Sequence, residues 1–84
     1  MPRSIGTHEY DKFRQNLTEA RQSANLTQVQ LATLLKRPQS FVSKYERGER
    51  RLDVVEFVEV AAAIGIDPLP LVRELMCGTH GSRP

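Results

Sequence analysis

Two six-residue stretches, Leu26-Thr27-Gln28-Val29-Gln30-Leu31 and Leu52-Asp53-Val54-Val55-Glu56-Phe57, constrain the fold of this chain more than any other feature. In each, a Thr or Asp stands three residues ahead of a Gln or Glu. At that spacing the two side chains satisfy each other's otherwise orphaned backbone N–H groups, and the flanking apolar residues sit where a hydrophobic staple belongs. Helices are therefore expected to start just after Thr27 and just after Asp53.

The segments around these two starts also read as helix. Tyr10, Phe13, Leu17, Ala20 and Ala24 recur every three or four residues, with Asp11, Lys12, Gln15, Glu19 and Gln22 on the other side, which is the pattern of an amphipathic helix. Asn25 can take the left-handed conformation that ends it. The second helix keeps Leu31, Leu34 and Leu35 on one face and stops before Pro38, whose ring disfavours a helical Arg37. Pro38 suits the first position of a third helix, about 38–47, closed by Gly48. The fourth helix runs to Gly65, and Asp67-Pro68 offers a cap and an entry for a fifth that fades near Cys77. The expected fold is all-α: a compact five-helix bundle over residues 10–76, between a flexible arm at 1–9 and a flexible tail at 77–84, with no strand pattern or repeat.

A chain of 84 residues with 39% hydrophobic and 26% charged side chains supports one small core and excludes a large enzyme fold. A single cysteine, Cys77, forms no internal disulfide, and no apolar run reaches signal-peptide or membrane-span length, so a cytoplasmic setting is expected. His8, His80 and Cys77 fall at the two ends without zinc-ligand spacing, and neither a Gly-rich phosphate loop nor a nucleophile elbow is present. Ser43 and Lys44 point a quarter-turn apart and form no dyad. Neither catalysis nor a cofactor is expected.

Charge is segregated along the chain. Residues 36–51 carry Lys36, Arg37, Lys44, Arg47, Arg50 and Arg51 against Glu46 and Glu49, whereas residues 52–76 are net acidic. A basic stretch on and after the third helix can meet phosphate, and the acidic neighbour argues against a uniformly adhesive basic protein. A tight turn joining two short helices, the second of them basic, is the arrangement that fits a helix into a DNA major groove.

Thr27-Gln28-Val29-Gln30-Leu31-Ala32, followed by Gln39-Ser40-Phe41-Val42-Ser43-Lys44-Tyr45-Glu46-Arg47-Gly48, resembles the phage-repressor-like (Xre and Cro type) helix-turn-helix family over about Phe13 to Leu75. The Gln-x-x-Leu-Ala start and the Ser-x-x-Glu-x-Gly close carry the resemblance. It implies a five-helix domain that binds operator DNA, usually as a dimer, with Gln28 on phosphate, Arg47, Arg50 and Arg51 on the DNA backbone, and an ion pair between Arg21 and Glu46. The chain departs from the family where many members place glycine: Lys36 stands there and must turn left-handed, or the turn must differ.

Helical phase turns Val42 and Tyr45 inward and Gln39, Ser40, Ser43 and Lys44 outward, as candidates for base contacts; Gln can pair with adenine and Lys can donate to guanine O6 and N7. Phe41 has two readings, a contact with a thymine methyl or deoxyribose, or packing against the following loop. The apolar content of the fifth helix, including Leu71, Val72 and Leu75, suggests a dimer contact, with core packing as the alternative. The sequence thus points to a dimeric, sequence-specific DNA-binding regulator, acting as a repressor on an inverted-repeat operator of double-stranded DNA. The alternatives are an antitoxin with a protein toxin as partner and a protein-interaction module without DNA binding.

Overall fold

The computed structural model describes residues 8–80, with side chains through residue 76. It contains five helices: α1 (His8–Ser23), α2 (Gln28–Leu35), α3 (Gln39–Glu46), α4 (Val54–Ile64) and α5 (Leu69–His80). No strand occurs among the described residues.

Both capping boxes form. The Thr27 hydroxyl accepts from Gln30 N at 3.0 Å while Gln30 Oε1 accepts from Thr27 N at 2.9 Å. Asp53 Oδ1 accepts from Glu56 N at 2.7 Å while Glu56 Oε1 accepts from Asp53 N at 3.0 Å. Ends are set as firmly as starts. Asn25 (φ 62°) and Lys36 (φ 58°) both take the left-handed conformation. Beyond each, an N–H reaches back five residues, Leu26 to Arg21 O at 3.2 Å and Arg37 to Ala32 O at 3.0 Å, the Schellman closure of a helix. Lys36 therefore does with a side chain what glycine does without steric cost, and the turn keeps its shape.

Three boundaries differ from the sequence reading. Pro38 is the N-cap of α3, extended at ψ 154°, and the first helical residue is Gln39. α1 starts at His8, two residues earlier than the expected domain start, with Glu9 and Asp11 in its first turn, where the helix dipole favours negative charge. α5 runs past Gly78 to His80, because one glycine costs a helix only about 1 kcal/mol relative to alanine and does not by itself end it. Residues 1–7 and 81–84 of the expected arm and tail lie outside the described residues, as do the side chains of Cys77 and His80.

The core lies where α1, α2, α3 and α4 meet. Leu17, Leu31, Val42, Tyr45 and Val60 are fully buried, and each contributes about 1.5–3 kcal/mol by leaving water. An aromatic chain ties α1 to α4: Phe13 meets Phe57 edge-on with ring centroids 5.0 Å apart, and Tyr10 lies 5.8 Å from Phe13. Tyr10 also reaches the loop before α4, its hydroxyl accepting from Leu52 N at 3.2 Å and donating to Arg50 O at 3.4 Å. Leu71 and Leu75 of α5 pack against this core and are half-buried. Val72, on another face, remains exposed together with Leu69 and Met76.

Candidate nucleic-acid interface

α3 has one sealed side and one open side. Val42 and Tyr45 have 0% of their surface exposed, and the polar residues around them turn outward: Gln39, Ser40 and Lys44 are exposed and Ser43 is half-buried. The separation follows from 100° per residue on an eight-residue helix, with positions 42 and 45 on the side facing α2. Lys44 makes no ion pair among the described residues; the Glu49 carboxyl is held below the usual carboxylate range chiefly by the hydrogen bond from Arg47, with the Lys44 charge as a minor addition.

The C-terminal end of α3 is fixed to α1. Arg21 Nε donates to Glu46 Oε2 at 2.8 Å and Arg21 Nη2 to Oε1 at 3.1 Å, while Nη1 donates to Leu26 O at 2.7 Å. Both partners are almost wholly shielded, so the fork-shaped guanidinium satisfies a carboxylate that would otherwise be costly to bury. Arg14 donates to the Glu46 carbonyl and braces the same end. Gly48, just beyond, takes φ 81°, a left-handed conformation that calls for glycine, and a β-carbon there would stand 3.0 Å from Arg14 Nε, close enough that the arginine would have to shift.

From Glu46 the network continues to the outer edge. Gln28 Nε2 donates to Glu46 Oε1 at 2.9 Å, and Gln39 Nε2 donates to Gln28 Oε1 at 3.2 Å. Gln28, expected on phosphate, thus spends its carbonyl and one N–H inside the protein and keeps one N–H for any other partner. Gln39 keeps its carbonyl oxygen and a second N–H.

The three arginines expected on the DNA backbone are not equally free. Arg47 pairs with Glu49 at 3.0 Å in an exposed contact. Arg50 is gripped by Glu56, Nη1 to Oε1 at 2.9 Å and Nη2 to Oε2 at 2.7 Å. Arg51 lays its guanidinium 4.3 Å from the Tyr10 ring centroid. Counting charges along the chain missed these partners, because Tyr10 and Glu56 come into reach only when the loop folds back.

Phe41 resolves toward packing. It is buried, meets Tyr45 edge-on at 5.8 Å, and carries the Arg37 and Arg50 guanidiniums over its ring at 4.4 and 4.8 Å. Around Glu56 the carboxyl is held well below the ordinary range, at about 2, first by the hydrogen bonds from Arg50 and next by the Asp53 backbone N–H. The Tyr45 hydroxyl is buried without a hydrogen-bond partner, and burial, with the nearby Glu46 charge, pushes its pKa well above that of an ordinary phenol. Among the described residues no cluster of His, Cys, Asp and Glu could hold a metal, and no helix is long and apolar enough to cross a membrane.

A helix-turn-helix family model matches residues 17–71. An XRE-family-like protein from Pseudomonas syringae pv. tomato is 49% identical and superposes with a TM-score of 0.79, over 84% of this chain and 87% of that one. The restriction-modification controller protein C.AhdI from Aeromonas hydrophila is 37% identical with a TM-score of 0.67, over 80% of this chain and 91% of that one. No curated protein matches the chain.

Proposed function

Because the chain belongs to the XRE family of helix-turn-helix proteins, we propose that it is a DNA-binding transcriptional regulator that works as a homodimeric repressor and reads the major groove with α3. The observation that carries this reading is the outward edge of α3: exposed Gln39, Ser40 and Lys44 on a helix whose other side is completely buried. Such an edge presents hydrogen-bonding groups in a fixed register, which is what base readout requires. With one N–H committed to Gln28, the Gln39 amide is oriented in advance, and its free oxygen and second N–H match adenine N6 and N7. Lys44 is placed to donate to guanine, and Ser40 and Ser43 supply short, adaptable partners. Gln28, Arg47, Arg50 and Arg51 flank this edge as backbone contacts, with Arg47 exchanging the exposed Glu49 carboxylate for a phosphate and Arg50 meeting phosphate while still held by Glu56.

The similar protein from Aeromonas hydrophila is a restriction-modification controller protein, which favours a role in gene control over a purely structural one. A toxin partner gains no support from these relatives. The dimer contact is placed on the exposed apolar face of α5, Leu69, Val72 and Met76, with Leu71 and Leu75 buttressing it from inside.

Selection of bound duplexes from a random pool tests the reading. The expected result is an inverted repeat whose half-sites are centred about one helical turn, roughly 10 base pairs, apart. A pool that shows no enrichment, or a site without two-fold symmetry, would overturn it.

A further inference from the structure

Glu56 lies on α4, away from the outward edge of α3, yet it gathers more contacts than its role as a helix cap requires. Its carboxylate receives both Arg50 bonds, closes the α4 capping box through Asp53 N, and stands 3.8 Å from Arg37 Nη1. Arg37 is in the turn before α3, and Arg50 is in the loop after it. Both guanidiniums bracket the ring of Phe41, the one large apolar residue of α3 on that flank, at 4.4 and 4.8 Å. Glu59, more exposed than Glu56, adds a second contact to Arg37 at 3.7 Å.

A guanidinium over an aromatic face is attracted by the ring quadrupole, and more strongly when partly desolvated. Two cations close to one ring repel each other unless an anion lies nearby, and Glu56 is the carboxylate that faces both. The arrangement is a clamp with one keystone. It holds the flank of α3 to the start of α4, as Arg21 and Glu46 hold the far end of α3 to α1.

We infer that Glu56 is a positioning residue for DNA recognition, which sets the angle of α3 through Arg37, Arg50 and Phe41 and keeps the two arginines from binding phosphate indiscriminately. The inference rests on the DNA-binding reading and adds to it a residue that itself touches no DNA. Its signature is two effects of opposite sign. Removing the carboxylate charge loosens α3, which lowers affinity for the selected operator, and frees arginine charge, which raises affinity for random-sequence duplex. A residue that served only as a helix cap would move both affinities together.

The test compares Glu56→Gln with Asp53→Asn and Phe41→Leu in the full chain. Glutamine keeps the capping-box geometry and removes the charge. Asn at position 53 also keeps its cap and changes net charge by the same amount, while leaving the Glu56 carboxylate and its two arginine partners in place. Glu56→Gln is expected to lower the ratio of operator to random-duplex affinity by on the order of tenfold. It should also steepen the log–log salt dependence on random duplex by up to about 0.9 for each freed arginine that reaches phosphate. Asp53→Asn should leave the ratio unchanged. Phe41→Leu should lower the ratio without steepening the salt dependence. Hydrogen exchange on the free proteins provides a readout that needs no DNA: α3 amides should exchange faster, relative to α1, in Glu56→Gln and not in Asp53→Asn. A specificity ratio that follows Asp53→Asn, or an α3 exchange pattern equal to wild type, would overturn the inference. A wild-type chain that bound no duplex would instead remove the DNA reading, and the exchange comparison would still decide whether Glu56 holds α3.

Discussion

Arg21 and Glu46, one on α1 and the other ending α3, meet through paired N–H···O bonds of 2.8 and 3.1 Å in a nearly solvent-free contact. The pair is the root of a hydrogen-bond chain that runs outward through Gln28 to Gln39, so a contact inside the protein orients a side chain at the outer edge.

Breaking that root should be costly. Arg21→Ala strands a buried carboxylate and is expected to destabilise the domain by about 3–5 kcal/mol. In a double-mutant cycle with Glu46→Gln, the two losses should be far from additive. Denaturant unfolding of the four proteins measures the coupling; additive losses would show that the two residues act independently.

Tyr45→Phe should have the opposite effect of most core substitutions. The hydroxyl is buried without a partner, so its removal relieves a desolvation cost of about 1–3 kcal/mol while the ring packing stays. Thermal unfolding at neutral pH should show equal or higher stability. Alkaline conditions sharpen the comparison. Because the folded pKa of Tyr45 is raised above the unfolded value of about 10, the wild type keeps its stability below that pH and loses it progressively above, as the unfolded chain ionises first. Tyr45→Phe lacks this loss, and identical alkaline profiles for the two proteins would contradict the burial argument.

Glu56 governs the acid side. Its folded pKa, lowered to about 2 from an ordinary 4.5, means that the ion pair with Arg50 contributes stability above about pH 4.5 that is lost as pH falls toward 2. Glu56→Gln should flatten this part of the pH–stability curve. Chemical unfolding at a series of pH values between 2 and 6 provides the check, and curves that stay parallel would refute it.

These side chains also mark where the sequence could be read and where it could not. Thr27 with Gln30 and Asp53 with Glu56 were legible as helix starts because a capping box is local: its partners are three residues apart and need no tertiary structure. Lys36 was legible as a departure from the family's glycine, with a left-handed residue or an altered turn as alternatives, and it takes the left-handed conformation. The second task of Glu56 was not legible, because Arg37 and Arg50 reach it only once the turn before α3 and the loop after it fold against α4. For the same reason the pairing of Arg50 with Glu56 could not be read beside its expected backbone contact. In α5 two readings, dimer contact and core packing, stood side by side. The apolar residues cover two faces, and periodicity alone did not show that Leu71 and Leu75 face the core while Leu69, Val72 and Met76 face outward.

That division predicts the behaviour of two substitutions in α5. Val72→Glu should split the dimer in sedimentation experiments while leaving the unfolding temperature of the monomer near wild type, since Val72 is 37% exposed. Leu75→Glu should also unfold the monomer, because it places a charge against the core. A Val72→Glu chain that stays dimeric would move the subunit contact elsewhere, with the exposed Val54, Val55 and Val58 of α4 as the next apolar surface.

The central claim, that the outward edge of α3 reads base sequence, is tested most directly by one comparison: the affinities of wild type and of a Ser40→Ala, Lys44→Ala double variant for the selected operator and for random-sequence duplex. Each well-formed bidentate base contact discriminates by about 1–3 kcal/mol, so the double variant should lose operator affinity by roughly tenfold or more and lose far less on random duplex. An equal loss on both duplexes would show that Ser40 and Lys44 contact the DNA backbone without reading it, and would contradict the account.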